Sequence, residues 1–277
     1  MADIFERAER DNRAYWDEIA PVHARAYREV DLLRRGEPVL DKIELREVGE
    51  VEGKTLLHLQ CHIGTDTLAW ARRGAIVTGV DFSPQSITLA QQLQEELGLE
   101  ATFICTNIYE LSGVLDQSFD IVYTSRGVLC WLRDLEEWAR IIAHFLKPGG
   151  TFYIMESHPI CHTLGRGDDG ELRITYPYFH SPAPTVWDDM DGDYADGDYV
   201  PQHPSYEWQW SLSDIVGALL GAGLRIELFN EYERLFFKLF PGMQEGPARW
   251  YRLPEYAGKL PLLFTLRARR ADCQSAL

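Results

Sequence analysis

The sequence predicts an α/β fold on a mostly parallel, seven-stranded sheet with helices on both faces. Three observations predict it. From Thr55 onward, apolar runs of strand length alternate with segments of helical periodicity. The helices are bracketed by recognisable start and stop residues. Two further strand-like runs follow the last helix, and strands joined through helices of this length pair in parallel by right-handed crossovers.

The first stretch, to about Arg35, is helical in pattern but broken at Pro21, where a backbone N–H is missing. Ile4, Phe5, Ala8, Tyr15, Trp16 and Ile19 form its apolar stripe. A short helix from Val39 to Val48 ends at Gly49. Residues 1–50 therefore read as a helical cap on a main domain spanning residues 51–270. In that domain Thr55 to Gln60 is a buried strand, and Thr65 to Arg73 a helix stopped by Gly74. Ile76 to Val80 is the next strand, ending at Asp81. Ser83-Pro84 opens a helix as N-cap and first-turn proline, with Ile87, Ala90, Leu93 and Leu97 on one face and Gly98 as the stop. Thr102 to Cys105 and Phe119 to Tyr123 are strands. Asp134 and Glu137 have capping-box spacing for a helix that carries Leu135, Ile141, Ile142, Phe145 and a core Trp138. Lys147-Pro-Gly-Gly150 turns the chain into the strand Thr151 to Met155.

The rhythm is lost from Ser157 to Tyr206, which is rich in Pro, Gly, Asp and aromatic residues. A long irregular connection in a compact domain usually serves as a lid or binding loop, so residues 157–210 read as a lid and substrate insertion. Ser211 to Asp214 caps one more helix, ended by Gly221-Ala-Gly223. The last strands lie near Arg225 to Phe229 and Leu262 to Ala268.

Composition narrows the function. The chain has 277 residues, 45% hydrophobic and 25% charged, an ordinary balance for a soluble globular protein. Its 27 Lys+Arg against 43 Asp+Glu give a net charge of −16, which argues against a nucleic-acid partner. Cys61, Cys105, Cys130, Cys161 and Cys273 show no C-x-x-C spacing, as expected of reduced, mostly buried thiols. With no apolar signal segment at the N-terminus and no run of bilayer length, the reading is a cytoplasmic protein with no membrane partner.

In an open parallel sheet, ligands bind outside the carboxyl ends of the strands. After the first strand, Gln60-Cys61-His62-Ile63-Gly64 runs into a helix and aims backbone N–H groups at a ligand. After the second comes Asp81, placed to accept hydrogen bonds from ribose hydroxyls. Leu57 to Gly64, Thr78 to Ser83, Cys105-Thr-Asn107, Phe119 to Tyr123 and Leu146 to Gly150 together resemble the ordered motifs of class I S-adenosylmethionine (SAM)-dependent methyltransferases, which have a Rossmann-like fold. The resemblance covers Thr55 to Glu156 firmly and the last helix and strands more loosely.

The resemblance implies that SAM is the cofactor and a small molecule with an O or N nucleophile the methyl acceptor. It implies that Gln60, Cys61, His62 and Gly64 pass the methionine part, Asp81 holds the ribose, and Phe82 lies against the adenine. Asn107 and Ile108 would border the adenine edge, and Ser125 the amino-acid end. The family's Asp-x-Gly-x-Gly-x-Gly places hold His58, Gln60, His62 and Gly64 here, so only the last glycine remains. Tyr15, Trp16, Tyr27, Trp131 and His158 are candidates to close over the acceptor, and His158, His162, His180 and His203 for a general base where one is needed. No metal is expected: Cys61-His62 lacks matching ligands, and the acidic stretch Asp188 to Asp198 lacks a calcium-loop register. Two alternatives stay open. One is a non-catalytic SAM-binding protein of the same fold. The other, disfavoured by the absence of G-x-G-x-x-G, is an NAD(P)-dependent oxidoreductase.

Overall fold

The computed structural model describes residues 2–167, 170–188, 192–247 and 250–271, with side chains from residue 4 onward. Helix α1 (Ala2–Ala26) continues through Pro21, so the expected break there does not occur. The residues around the proline, Ile19, Ala20, Val22 and His23, are all buried, and that packing outweighs one missing hydrogen bond. The break falls at Tyr27, whose ψ of 117° leaves the helical region before α2 (Arg28–Arg34). Helix α3 (Lys42–Val48) starts later than Val39. Asp41 and Glu44 form a reciprocal capping box that fixes its first turn, a D-x-x-E signal stronger than the apolar run before it.

The central elements follow closely: β1 (Thr55–Leu59), α4 (Thr65–Arg72), β2 (Ile76–Asp81), α5 (Pro84–Leu97), β3 (Thr102–Cys105), β4 (Phe119–Ser125), α6 (Leu135–Phe145) and β5 (Leu146–Ser157). Ser83 caps α5 and Gly98 ends it in the left-handed conformation, as expected. At α6 only half of the expected box forms. Asp134 accepts from Glu137 N, but the Glu137 carboxylate turns outward to Arg140 at 2.8 Å.

The segment after β5 is less irregular than its sequence suggests. It holds two small antiparallel hairpins, β6 (Leu164–Arg166) with β7 (Leu172–Ile174), and β8 (Thr185–Trp187) with β9 (Ser205–Glu207). Then come α7 (Leu212–Gly221), β10 (Leu224–Tyr232), the short pair β11 (Gln244–Glu245) and β12 (Tyr251–Arg252), and β13 (Leu263–Arg270).

The main sheet has seven strands in the order β10-β13-β5-β4-β1-β2-β3, with β13 antiparallel to both neighbours and the rest of the ladder parallel. Strand alternation sends Leu56, Tyr123 and Tyr153 into the core on one face and Leu57, Val122 and Phe152 into that on the other. The order reverses between β1 and β4. That switch point opens a crevice at the carboxyl ends of the strands. Of the four described cysteines, all free, Cys61 and Cys161 are buried, Cys130 is half-buried and Cys105 is exposed, so burial is less general than expected. Cys273 lies outside the described residues. Among the described residues, no helix is long and apolar enough to cross a membrane.

Candidate active site

A cavity of about 1640 Å³ lies over this crevice, between the sheet, α1 and the insertion after β5. Gln60, Cys61, His62, Asp81, Phe82, Asn107, Ile108 and Ser125 all line it, as do Tyr15, Trp16, Tyr27 and Trp131. Of the residues expected at the cofactor and over the acceptor, two do not. Gly64 sits behind the turn at the start of α4. His158 caps a helical turn that follows β5, and its ring is held there by Glu231 on β10 at 2.9 Å and by Ile160 N.

The turn after β1 explains the unusual sequence there. Gln60 and His62 both have left-handed backbone, with φ of 57° and 50°, beside Gly64 at 75°. The chain thus keeps a glycine-like path while carrying side chains at two of its three positions, at a cost of order 1–2 kcal/mol per residue. At Gly64 no side chain fits: a Cβ would stand 2.8 Å from Phe103 and 2.9 Å from Ala90. The one glycine retained is the one the neighbouring packing demands.

Asp81 is buried at the end of β2. One carboxylate oxygen accepts from His62 N at 2.8 Å, the other from Ser83 N at 3.0 Å. Burial pushes its pKa up to about 6 although these N–H groups pull it down. Gln60 donates to Val128 O, while its buried Oε1 has no partner. On the other side, Glu156 accepts from Gly127 N and Val128 N, both at 2.7 Å, and so fixes the turn leaving β4. Arg126 in that turn has φ 61° and pairs with buried Glu44. Asp66 accepts from Ser125 Oγ at 3.0 Å. His58 bonds Thr67, and burial takes its pKa down to about 4, which fits a structural residue.

Helix α1 roofs the cavity and ties three parts of the chain together. Arg13 donates to Phe82 O, Asp17 accepts from Ser83 Oγ and Gln85 N, and Asn12 exchanges two hydrogen bonds with the Tyr206 backbone. Inside runs a chain of side chains absent from the sequence reading. Ser86 Oγ meets His62 Nδ1 at 3.0 Å, His62 Nε2 meets His23 Nδ1 at 2.9 Å, and His23 Nε2 meets the Asp193 carboxylate at 3.1 Å. One set of tautomers satisfies the whole chain, with each imidazole donating away from Ser86. Tyr27 and Tyr194 bond through their hydroxyls beside it. Trp16 stands edge-on to His62 with centroids 4.9 Å apart, and Trp131 stacks on Tyr15 at 5.8 Å.

Of the other candidate bases, His162 lines the cavity. Its Nε2 is 2.8 Å from Ser157 Oγ, and burial takes its pKa down to about 4. His180 stacks on Trp210, and His203 pairs with Glu18. Sequence reasoning missed Glu207, although a signal was present. In Ser205-Tyr-Glu-Trp-Gln-Trp210 polar and aromatic residues alternate. Tyr206 and Trp208 pack on Ala8 with Trp210 against them, while Glu207 and Gln209, with part of Trp208, line the cavity. In the acidic stretch, Asp193 is taken up by His23 and by the N–H groups of Ala195 and Asp196. Residues 189–191 lie outside the described residues.

Comparison with known proteins agrees with this architecture. Residues 57–154 match the model of a methyltransferase domain. The chain is 33% identical over 141 residues to a ubiquinone biosynthesis O-methyltransferase of Saccharophagus degradans, covering 49% of this chain and 59% of that one. It is 31% identical over 130 residues to the cypemycin N-terminal methyltransferase of a Streptomyces species, covering 46% and 51%. The chain thus spans little more than half the length of these relatives. An S-adenosylmethionine-dependent methyltransferase of Mesorhizobium loti has the same fold, with TM-score 0.57, 22% identity, and coverage of 82% of this chain and 96% of that one. The methyltransferase-domain match thus runs from β1 to β5 of a sheet of this order, and in that region and in fold the chain is similar to the class I SAM-dependent methyltransferases.

Proposed function

We propose that the protein transfers a methyl group from SAM to a small, largely apolar acceptor bound between the sheet and the insertion. The observation that carries this is the position of Asp81: a buried carboxylate on the cavity wall, beside Phe82, at the carboxyl end of β2 next to the switch-point strand β1. The residues present suit the cofactor. Each Asp81 oxygen accepts one N–H and keeps lone pairs for ribose hydroxyls, and the orphaned Gln60 Oε1 can accept from an ammonium group. Phe82, Asn107, Ile108 and Ser125 line the cavity, which supports a reading in which the first three would border the adenine and Ser125 the amino-acid end.

When bound, SAM supplies a methyl carbon already activated by a positive sulfur. What remains for the chain is to hold the nucleophile in line and keep water out, for which alignment alone supplies several kcal/mol. Tyr15, Trp16 and Trp131 offer apolar walls, and in this reading α1 and the described residues after β5 that line the cavity, such as Trp187 and Tyr194, would cover the acceptor. The two curated relatives, named as an O-methyltransferase and an N-terminal methyltransferase, fit a protic acceptor. Titration calorimetry with SAM, S-adenosylhomocysteine and NAD tests the reading. Binding of the first two and not the third is the expected result; tight NAD binding without a SAM signal overturns it.

A further inference from the structure

One acid on the cavity wall has no role in this reading. Glu207 closes β9, opposite Thr185, and the aromatic residues on either side of it turn toward α1. It shares the cavity wall with Tyr15, Cys130 and Trp187. The Trp187 indole Nε1 is buried and makes no hydrogen bond of ordinary geometry. Among the described residues no Lys, Arg or His stands within ion-pair distance of Glu207. Three cations that line the cavity are engaged elsewhere: Arg126 with Glu44, Arg133 over Phe5 and Tyr109, Arg166 with Glu255. Burial raises the Glu207 carboxyl to about 7. Glu207 is half-buried on that wall, and a carboxylate partly withdrawn from water without a counter-ion is costly. A cationic ligand offsets that cost, and aromatic walls favour the same charge.

We propose that the methyl acceptor is an amine that enters as its ammonium ion, with Glu207 as counter-ion and catalytic base. This rests on the methyl-transfer reading above. An ammonium N–H proton passes to a Glu207 carboxylate oxygen, which frees the nitrogen lone pair. That pair forms the new N–C bond while the S–C bond breaks and its electrons stay on sulfur. The products are the methylated ammonium ion and S-adenosylhomocysteine, and the Glu207 proton leaves to water when the cavity opens. A carboxyl that titrates near neutrality is well matched to this transfer.

The test uses the full chain saturated with S-adenosylhomocysteine and three probes of similar shape: 2-phenylethylamine, 2-phenylethanol and 4-ethylphenol. By calorimetry at pH 8, the amine should bind at least about tenfold more tightly than either neutral probe. Glu207→Gln should erase that preference while leaving S-adenosylhomocysteine affinity within about twofold. In wild type the preference should shrink as pH falls below about 7. With SAM in place, the amine should be N-methylated, and Glu207→Gln should lower kcat by about 100-fold or more. An equal or tighter phenol, a preference that survives Glu207→Gln, or no binding of any probe overturns the proposal. If S-adenosylhomocysteine itself does not bind, the methyl-transfer reading fails instead, and the ammonium preference of the unloaded protein still decides the part assigned to Glu207.

Discussion

At the scale of single residues, Asp81 carries the sharpest expectation. If its charged carboxylate accepts from the ribose, Asp81→Ala should weaken SAM binding by about 1.5–3 kcal/mol, roughly 10- to 150-fold in Kd, with the circular dichroism spectrum retained. Unchanged affinity in the folded variant would leave Asp81 as a brace for the His62 and Ser83 amides alone. Its pKa of about 6 adds a pH dependence whose sign can be worked out. The folded value lies above the ordinary one, so between about pH 4 and 6 the folded state holds more protons than the unfolded. The contribution of Asp81 to stability is therefore fully present below pH 4 and falls as pH rises through 6. SAM binding has the opposite slope, because it selects the ionised form: affinity should rise from pH 5 to 7 in wild type and stay flat in Asp81→Asn. Gly64 gives a second residue-level test. Gly64→Ala forces a Cβ into Phe103 and Ala90 at a left-handed position. Overpacking of about 1–3 kcal/mol and about 1–2 kcal/mol of backbone strain should both appear in urea denaturation. A loss below about 1 kcal/mol would mean that α5 yields easily.

Among the elements, the contact between α1 and the insertion is the testable joint. His23→Ala cuts the chain of bonds between Asp193 and His62. It should speed limited proteolysis between Gly165 and Gly197, with a change of about 1–3 kcal/mol in local opening. Cleavage at the wild-type rate would show that the remaining anchors, Asn12 to Tyr206 and Glu18 to Tyr199, suffice. This joint also marks where the sequence stopped being informative. The strands and helices from Thr55 to Ser157 were legible because period, caps and stops all agreed over short sequence distances. Asp81 was legible because its place depends only on the strand before it. The Asp193–His23 pair was not, since it joins residues 170 apart through the packing of two elements with no fixed register. Pro21 misled for a related reason, since tertiary burial carried α1 through it. The inward face of β9 was written in the alternation from Ser205 to Trp210, but three paired residues are too few to stand out beside an irregular segment.

For the whole molecule, cofactor binding should appear as stability. At about 100 times Kd, SAM should contribute about 2.7 kcal/mol. That raises the Tm by roughly 5 °C or more for a chain of this size, whereas NAD should leave it unchanged. The histidine chain bears on time as well as on strength. His62 gives its backbone N–H to Asp81 and its ring, through His23, to Asp193 of the insertion. The floor and the roof of the cavity therefore share one side chain. Traffic through such a chamber should be sequential. The nucleoside has to settle on the floor before the roof is sealed, and the spent nucleoside should be last to leave. Stopped-flow fluorescence of the tryptophans around the chamber can time this. S-adenosylhomocysteine should dissociate more slowly from wild type than from His23→Ala, and equal off-rates would mean that the roof does not govern the order of events.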